Sequence, residues 1–312
     1  MDYGINFNGD MPFQDIAKGS KISEEIGFHY IWVGESKDVV HPFPVIALIC
    51  ESTEKTRIGS GVISPQLNRC EHIIKAFETL QEVYGRRFVV GLAPGDYFGL
   101  KSLGIKRKPI ETVGVCVIDI VTSRNPVFVV DDVEDLKAKS RIKRDITDIP
   151  IFIGAASPKM IKLASSIADG VLLNYVHPDF VEWALRYFKK KNYVGVYGPS
   201  LILPDKKYEG HLKIAASVVA SSVSKEIQEE FDMEESIEDI KNIILKKRYG
   251  ELKKYNNFLL EKFTISGDIS EIRNRIDEFK DMKVDQVIFG GPMCENINSI
   301  KQLKGLLNGS SQ

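Results

Sequence analysis

The sequence predicts an α/β fold, an eight-stranded (β/α)8 TIM barrel formed as a single domain over residues 1–312. Short runs of β-branched and aromatic residues alternate with amphipathic stretches along nearly the whole chain. Some runs are continuously apolar, as at 151–153 and 287–289, which is typical of parallel strands buried on both faces. Eight such units joined by helical crossovers favour a closed barrel over an open sheet.

The predicted strands share β-branched or aromatic residues bounded by polar residues, glycine or proline. They are Tyr3–Phe7, Tyr30–Gly34, Arg57–Ile63, Phe88–Leu92, Ile149–Gly154, Gly170–Asn174, Leu212–Ala220 and Val284–Phe289. The alternative is an open doubly wound sheet, but no Gly-x-Gly-x-x-Gly pattern follows the first strand. The charged segment Val133–Thr147 is expected at the surface. A helical insertion is expected at Ser222–Lys262, after the seventh predicted strand.

The predicted helices carry clear boundary signals. Apolar residues recur at helical spacing over 73–84, and Gly85 then ends the run. Asp268 and Glu271 have the spacing of a capping box before the last strand. These signals fix where the crossover helices begin and end.

Composition argues against several classes of function. The formal net charge is −1, so no general field attracts the chain to nucleic acid, and no apolar run is long enough to span a bilayer. The four cysteines have no Cys-x-x-Cys pair, and we expect small buried residues in a reducing cytoplasm rather than disulfides or a metal site. Composition therefore favours a cytoplasmic protein without a nucleic-acid or membrane partner.

The turn after the fifth strand is the best candidate for an anion site. Ligands of such barrels bind at the C-terminal ends of the strands. Ser157 can cap the following helix, and Pro158 stands where its missing N–H has no consequence. The small residues 154–157 leave backbone N–H groups for a phosphate, and Lys159 adds a positive charge. An ordinary well-capped helix is the alternative reading.

Two carboxylates end strands at the same edge. Asp96 follows a Pro-Gly turn after strand four and could donate a proton, although such residues more often serve as turn or cap residues. Glu35 ends strand two, where it could bind a ligand or be an exposed loop residue. Trp32 is expected in the core.

The chain resembles the coenzyme F420-dependent methylenetetrahydromethanopterin reductases within the bacterial-luciferase-like superfamily. The resemblance covers almost the full length, and the order and spacing of its motifs make it specific. The motifs are Gly27–Trp32, Ile58–Pro65, Gly91–Asp96, Leu103–Ile105, Ile149–Ala155, Ser157–Met160, Ile167–Val171 and Ser266–Gly267.

The resemblance implies that F420, or alternatively FMN, binds at the C-terminal mouth of the barrel. It also implies a non-prolyl cis peptide at Gly61-Val62, behind the cofactor ring, and a catalytic acid at Asp96. The cofactor-binding residues expected from the resemblance and the strand ends are Glu35, Gly61, Val62, Ser64, Gly154, Ala155, Ala156, Ser157, Lys159 and Asn174.

The expected reaction is hydride transfer between C5 of F420 and a small organic substrate. The resemblance implies an acid where this chain has Asn6 and an Asp-His pair where it has Glu35 and Ser36. An FMN-dependent monooxygenase and a cofactor-binding homologue without catalysis are therefore the alternatives. We expect a homodimer, with no nucleic-acid or membrane partner.

Overall fold

A computed structural model describes residues 1–36, 38–95, 97–124 and 149–307. Its strands are all paired in parallel, and eight of them close into the predicted barrel. The strands are β1 Asp2–Phe7, β2 Tyr30–Val33, β3 Arg57–Ser60, β4 Phe88–Leu92, β5 Ile151–Ala155, β6 Gly170–Leu173, β7 Tyr193–Ile202, β8 Ile265–Gly267 and β9 Gln286–Gly290.

The barrel closes in the order β1 to β7, followed by β9, which returns to β1. Register partners such as Gly4 with Tyr30 and Gly4 with Ile288 place β1 between β2 and β9. The short strand β8 lies outside the ring and pairs only with the end of β7, at 200–202. Eight strands therefore form the barrel, and β8 is an additional strand outside it.

The helices cover the outside of the barrel. They are α1 Phe13–Ile26, α2 Pro42–Ser52, α3 Cys70–Tyr84, α4 Tyr97–Ser102, α5 Pro109–Arg124, α6 Pro158–Ile167, α7 Pro178–Leu185, α8 Glu209–Ser222, α9 Lys225–Glu230, α10 Glu234–Leu245, α11 Asn256–Phe263, α12 Ile269–Asp281, α13 Ile297–Gln302 and α14 Lys304–Leu307, with 3-10 turns at Tyr249–Tyr255 and Met293–Glu295.

The predicted seventh strand, Leu212–Ala220, is wrong, because that segment is helical and lies within α8. Leu212, Ala216 and Ala220 are buried at a spacing of four residues, which is a helical period. The seventh strand of the barrel is instead β7, which the sequence pattern did not predict. The charged segment after α8 is helical, as expected, whereas Val133–Thr147 lies outside the described residues.

The predicted helix boundaries are confirmed at three places. Asp268 and Glu271 form the capping box of α12. Ser157 caps α6, and Gly85 follows α3 with a φ of +81°. These boundaries could be predicted from the sequence because each depends on residues that are close together along the chain.

The barrel interior is filled by side chains. Tyr30 stacks on Trp32 with ring centroids 5.7 Å apart, and Trp32 is fully buried, as predicted. The interior cluster comprises Tyr30, Trp32, Val89, Phe152, Leu172 and Ile288. The strands thus enclose a packed core, which leaves the loops at the strand ends to form a site.

The expectation of four unpaired cysteines is wrong. Cys70 begins α3 and Cys116 lies in α5, and the two form a disulfide with their Cα atoms 5.4 Å apart. They are 46 residues apart in sequence, so only the packing of α3 against α5 brings them together. Cys50 and Cys294 are free and buried, as expected.

Replacement of Cys116 with serine is expected to lower the free energy of unfolding by about 3–4 kcal/mol, because a long loop in the unfolded chain is no longer closed. Urea denaturation with and without dithiothreitol measures this loss. The wild type denatured without reductant should expose two titratable thiols, those of Cys50 and Cys294. Four thiols in that assay would contradict the disulfide.

Glu24 of α1 holds the segment that leads into β3. Its carboxylate accepts hydrogen bonds from the backbone N–H groups of Glu54, Lys55 and Thr56, at 2.7–3.2 Å, and from the Thr56 hydroxyl. Burial alone would raise the pKa of Glu24, but the hydrogen bonds from Glu54, Thr56 and Lys55 outweigh it and lower the pKa to about 2. The ionised carboxylate therefore stabilises the fold.

This low pKa gives a pH-dependent stability. The contribution of Glu24 is complete above its ordinary pKa of 4.5 and is lost as the pH falls towards about 2. Glu24→Gln should lower stability at pH 7 by about 1–2 kcal/mol, a figure that allows for solvent screening at a partly exposed site. It should also flatten the acid limb of the stability curve, measured by urea titration between pH 2 and 7. The exposed neighbour variant Glu25→Gln is the control, and an equal loss there would contradict the assignment.

Candidate active site

The carboxyl ends of the strands meet at one mouth of the barrel, and most of the predicted site residues lie there. Asn6 is in β1, Glu35 follows β2, and the segment 61–64 follows β3. The segment 154–157 spans the end of β5, and Asn174 follows β6. Asp96, the predicted catalytic acid, lies outside the described residues.

The backbone bulges immediately after β3. The peptide bond between Gly61 and Val62 is cis, which confirms what the family resemblance implied. Gly61 N–H donates to the Val33 carbonyl at 2.7 Å, and Ile63 N–H donates to the Gly91 carbonyl at 2.9 Å. Both ends of the bulge are thus fixed by the neighbouring strands, with Val62 packed against the barrel interior.

Gly154 lies across from this bulge, on β5. A Cβ atom on Gly154 would lie 3.3 Å from Val62 Cγ1 and 3.1 Å from Ala93 Cβ. Contacts this close leave no space for a larger residue. Three residues at the ends of neighbouring strands (Val62 after β3, Ala93 after β4 and Gly154 in β5) therefore lie side by side at the mouth, and we call them the cradle.

The helix α6 begins beside this cradle. The Ser157 hydroxyl accepts from Met160 N–H at 3.4 Å, and Pro158 has no N–H to satisfy. The Ala156 carbonyl accepts a hydrogen bond from the Tyr175 hydroxyl, which ties the turn to the end of β6. Lys159 is exposed at the start of the helix. The positive end of the helix dipole and this ammonium favour an anion here.

Glu35 is engaged by the protein itself. Its two carboxylate oxygens accept hydrogen bonds from Ser64 N–H at 2.8 Å and from the Asn68 side chain at 2.6 Å. Ser36 next to it is exposed. The carboxylate therefore braces the loop after β3, and its predicted contact with a cofactor stays a prediction.

Ser64 joins the turns of two neighbouring strands. It is buried, and its hydroxyl donates to the Pro94 carbonyl at 3.0 Å. Gly95 follows with a φ of +91°, and a Cβ atom there would lie 2.7 Å from Ser64 Oγ. A glycine is needed at this close approach. Ser64 is thus held against the turn that ends β4.

Three asparagines lie at the mouth. Asn6 is 2% exposed, and its amide nitrogen donates to Asn8 Oδ1 at 2.8 Å. Within the described residues the Oδ1 atoms of Asn6 and Asn174 are buried without a hydrogen-bond partner. Buried acceptors are normally satisfied, so both atoms are suited to a ligand that carries N–H or O–H donors.

Sequence reasoning missed a second group of polar residues at the mouth, on the side of β7 and β9. Glu295 is 3.3 Å from His211, and its backbone carbonyl accepts from the Tyr208 hydroxyl. Burial raises the pKa of Glu295, while the hydrogen bond with His211 opposes the rise. The misplaced seventh strand concealed this group, because α8 was not recognised as a helix that begins at the mouth.

No group of three or more histidine, cysteine, aspartate or glutamate residues suited to a metal ion occurs within the described part of the chain. Among the same residues no helix is long and apolar enough to cross a membrane.

The chain matches the family model of the luciferase-like monooxygenases over residues 4–99 and 127–286. It is 26% identical to the 5,10-methylenetetrahydromethanopterin reductases of Methanolobus tindarius and Archaeoglobus fulgidus, over 98% of this chain and 98% of each relative. It superposes on the solved coenzyme F420-dependent tetrahydromethanopterin reductase of Methanopyrus kandleri with a TM-score of 0.83 and 22% identity, covering 100% of this chain and 99% of that one. The chain therefore belongs to the luciferase-like monooxygenase family.

Proposed function

We propose that this protein is an F420-dependent oxidoreductase that exchanges a hydride with a small organic substrate, as a reductase of the methylenetetrahydromethanopterin type. The observation that carries the proposal is the Gly61-Val62 bulge facing Gly154 beside the capped start of α6. Its support is the full-length similarity to reductases of that name.

The residues at the mouth fit a flat ring with a phosphate-bearing tail. The cradle residues Val62, Ala93 and Gly154 are partly exposed and carry no aromatic or long side chain. The start of α6 offers a helix dipole and Lys159 to an anion. The unpaired Asn174 Oδ1 offers an acceptor to a ring N–H. We therefore assign Gly61, Val62, Gly154 and the segment 155–157 to the cofactor, as the sequence predicted.

When bound, F420 supplies the hydride at C5 of its ring. The chain supplies orientation and exclusion of water: the packed interior beneath the mouth closes the site from below, and the bulge after β3 fixes its floor. Asn6 Oδ1 accepts a hydrogen bond from the substrate. Asp96 holds or releases the proton that accompanies the hydride, a role assigned from its family position.

An FMN-dependent monooxygenase is the second candidate, because the matching family model is that of the luciferase-like monooxygenases. Equilibrium titration of the purified protein with F420 and with FMN separates the two. We expect tighter binding of F420 and turnover with methylenetetrahydromethanopterin and reduced F420. Preferential binding of FMN with oxygen consumption would overturn the proposal. Tight F420 binding without turnover on any hydride donor or acceptor would identify a homologue that has lost catalysis.

We further propose a single domain and a homodimer, without nucleic-acid partners. We also propose a cytoplasmic location, in which the Cys70–Cys116 disulfide is an exception to the usual reduced state of cysteines. The dimer is supported by the outward face of α5, where Val115 is 53% exposed. A helix that is apolar on its outer face is commonly covered by a partner. Sedimentation equilibrium tests the dimer.

A further inference from the structure

The loop between β3 and α3, residues 64–69, is hydrogen-bonded to the segments on both sides of it. On one side it meets Glu35 and His41. On the other side the Gln66 side chain donates to the Lys106 carbonyl at 2.9 Å and accepts from Lys108 N–H at 3.1 Å. The loop thus connects the turn after β2 with the segment before α5.

A directed chain of hydrogen bonds ends on Glu35. Phe43 N–H donates to His41 Nδ1, so the proton of a neutral His41 ring is on Nε2. His41 Nε2 then donates to Asn68 Oδ1 at 3.1 Å. The Asn68 amide nitrogen donates to Glu35 Oε1 at 2.6 Å. In this series of hydrogen bonds His41 and Asn68 each donate to the next residue, so the last residue, Glu35, must be an acceptor.

The second oxygen of Glu35 fixes Ser64. Glu35 Oε2 accepts from Ser64 N–H, and the backbone N–H of Glu35 donates to the Val62 carbonyl at 3.3 Å. Ser64 Oγ in turn donates to the Pro94 carbonyl and accepts from Gln66 N–H at 3.2 Å. One carboxylate therefore sets the position of the residues that follow both β3 and β4.

We propose that Glu35 is a positioning residue of the active site rather than a ligand of the cofactor. As an acceptor with two oxygens, it holds Ser64 and Asn68, and through Ser64 it holds the turn at Pro94. This inference extends the proposed function, and the measurement of kcat with F420 that tests it rests on that function. Misplacement of active-site groups by about 1 Å can lower a rate by about 100-fold.

Exchange of the two partners tests this role. Glutamine has a single side-chain oxygen, which can accept from Ser64 or from Asn68 but not from both. In Glu35→Gln the glutamine N–H group therefore faces the N–H group of the other residue. Asn68 can turn its amide to compensate only if His41 also changes tautomer and gives up its hydrogen bond from Phe43 N–H. In the double variant E35Q/N68D the amide and the carboxylate change places, and the N–H groups of Ser64, His41 and the new glutamine again meet acceptors. The weak 3.4 Å hydrogen bond from the Asn68 amide to the Ser64 carbonyl is the one contact of Asn68 that this variant does not restore.

We measure hydrogen exchange of the peptide covering 61–70 and kcat with F420 per folded enzyme. Glu35→Gln is expected to speed exchange about 10-fold and to lower kcat by about 10- to 100-fold. The double variant should recover both. Glu51→Gln is the matched control, because Glu51 accepts a hydrogen bond from Tyr84 on the outside of the barrel.

Unchanged exchange in Glu35→Gln would overturn the bracing role, and wild-type kcat despite faster exchange would overturn the positioning role. Failure of the double variant to recover kcat would also overturn it. If the wild type binds FMN rather than F420, the proposed function fails, and the same comparison is made on the Kd of FMN. If it binds neither, exchange alone decides whether Glu35 orders the loop.

Discussion

Asp96→Asn is expected to lower kcat by about 10²–10⁴-fold, the range that a positioned general acid or base contributes. Asparagine has nearly the same shape but cannot give up or accept the proton that accompanies hydride transfer. The affinity for F420 should stay close to that of the wild type, because the assigned cofactor contacts lie at the ends of β3, β5 and β6 and at the start of α6. Steady-state turnover and equilibrium binding of F420 are the two measurements.

The control for this variant is Asp15→Asn. Asp15 is exposed in the first turn of α1 and lies outside the proposed site. Its replacement should leave kcat unchanged. Wild-type turnover in Asp96→Asn would show that the proposed proton role is wrong, whereas loss of F420 binding would reassign Asp96 to the cofactor contacts.

Gly91→Ala should have the largest effect on stability. A Cβ atom on Gly91 would overlap the backbone carbonyl oxygen of Ser60 on the adjacent strand. The two residues are also joined by hydrogen bonds at 2.9 Å, in which Ser60 Oγ accepts from Gly91 N–H and donates to the Gly91 carbonyl. Since both groups are buried backbone within the barrel, we expect a loss above about 4 kcal/mol or failure to fold.

Gly114→Ala provides the opposite expectation. Gly114 lies within α5, and the nearest atom to an added Cβ is Leu163 Cδ2 at 3.9 Å, an ordinary contact. Removing a glycine from a helix should stabilise the protein by about 0.5–1 kcal/mol. Urea denaturation of both variants measures the difference. Equal stability of Gly91→Ala and the wild type would show that β3 and β4 separate at this point without cost.

Much of the fold could be predicted from local signals in the sequence. Continuously apolar runs identified β5 and β9, and the caps at Ser157 and Asp268 fixed the starts of their helices. The family resemblance supplied the cis peptide at Gly61. The apolar runs and the caps each depend on residues within a few positions of one another, whereas the cis peptide was expected from motifs spread over almost the full length of the chain.

The prediction of the seventh strand was wrong because the conformation of that part of the chain depends on residues far apart in the sequence. The strand β7 contains Gly195, Gly198 and Pro199, which interrupt a β-branched pattern, and its pairing with β6 and β9 decides its conformation. The valines of α8 imitated a strand, but burial at a helical period shows that its packing against β7 and the neighbouring helices selects the helix. Tertiary context outweighed propensity in both cases.

Strand ends and helix caps are local properties, so the barrel and the positions of Gly154 and Ser157 at the end of β5 could be predicted from the sequence without any contact being known. The disulfide between Cys70 and Cys116 and the hydrogen bonds of Glu35 with Ser64 and Asn68 were visible only in the folded structure. These partners are about 30 or more residues apart along the chain, and no spacing rule relates them. They meet because β2, β3 and the helices beside them pack together, and such contacts exist only after the barrel has closed.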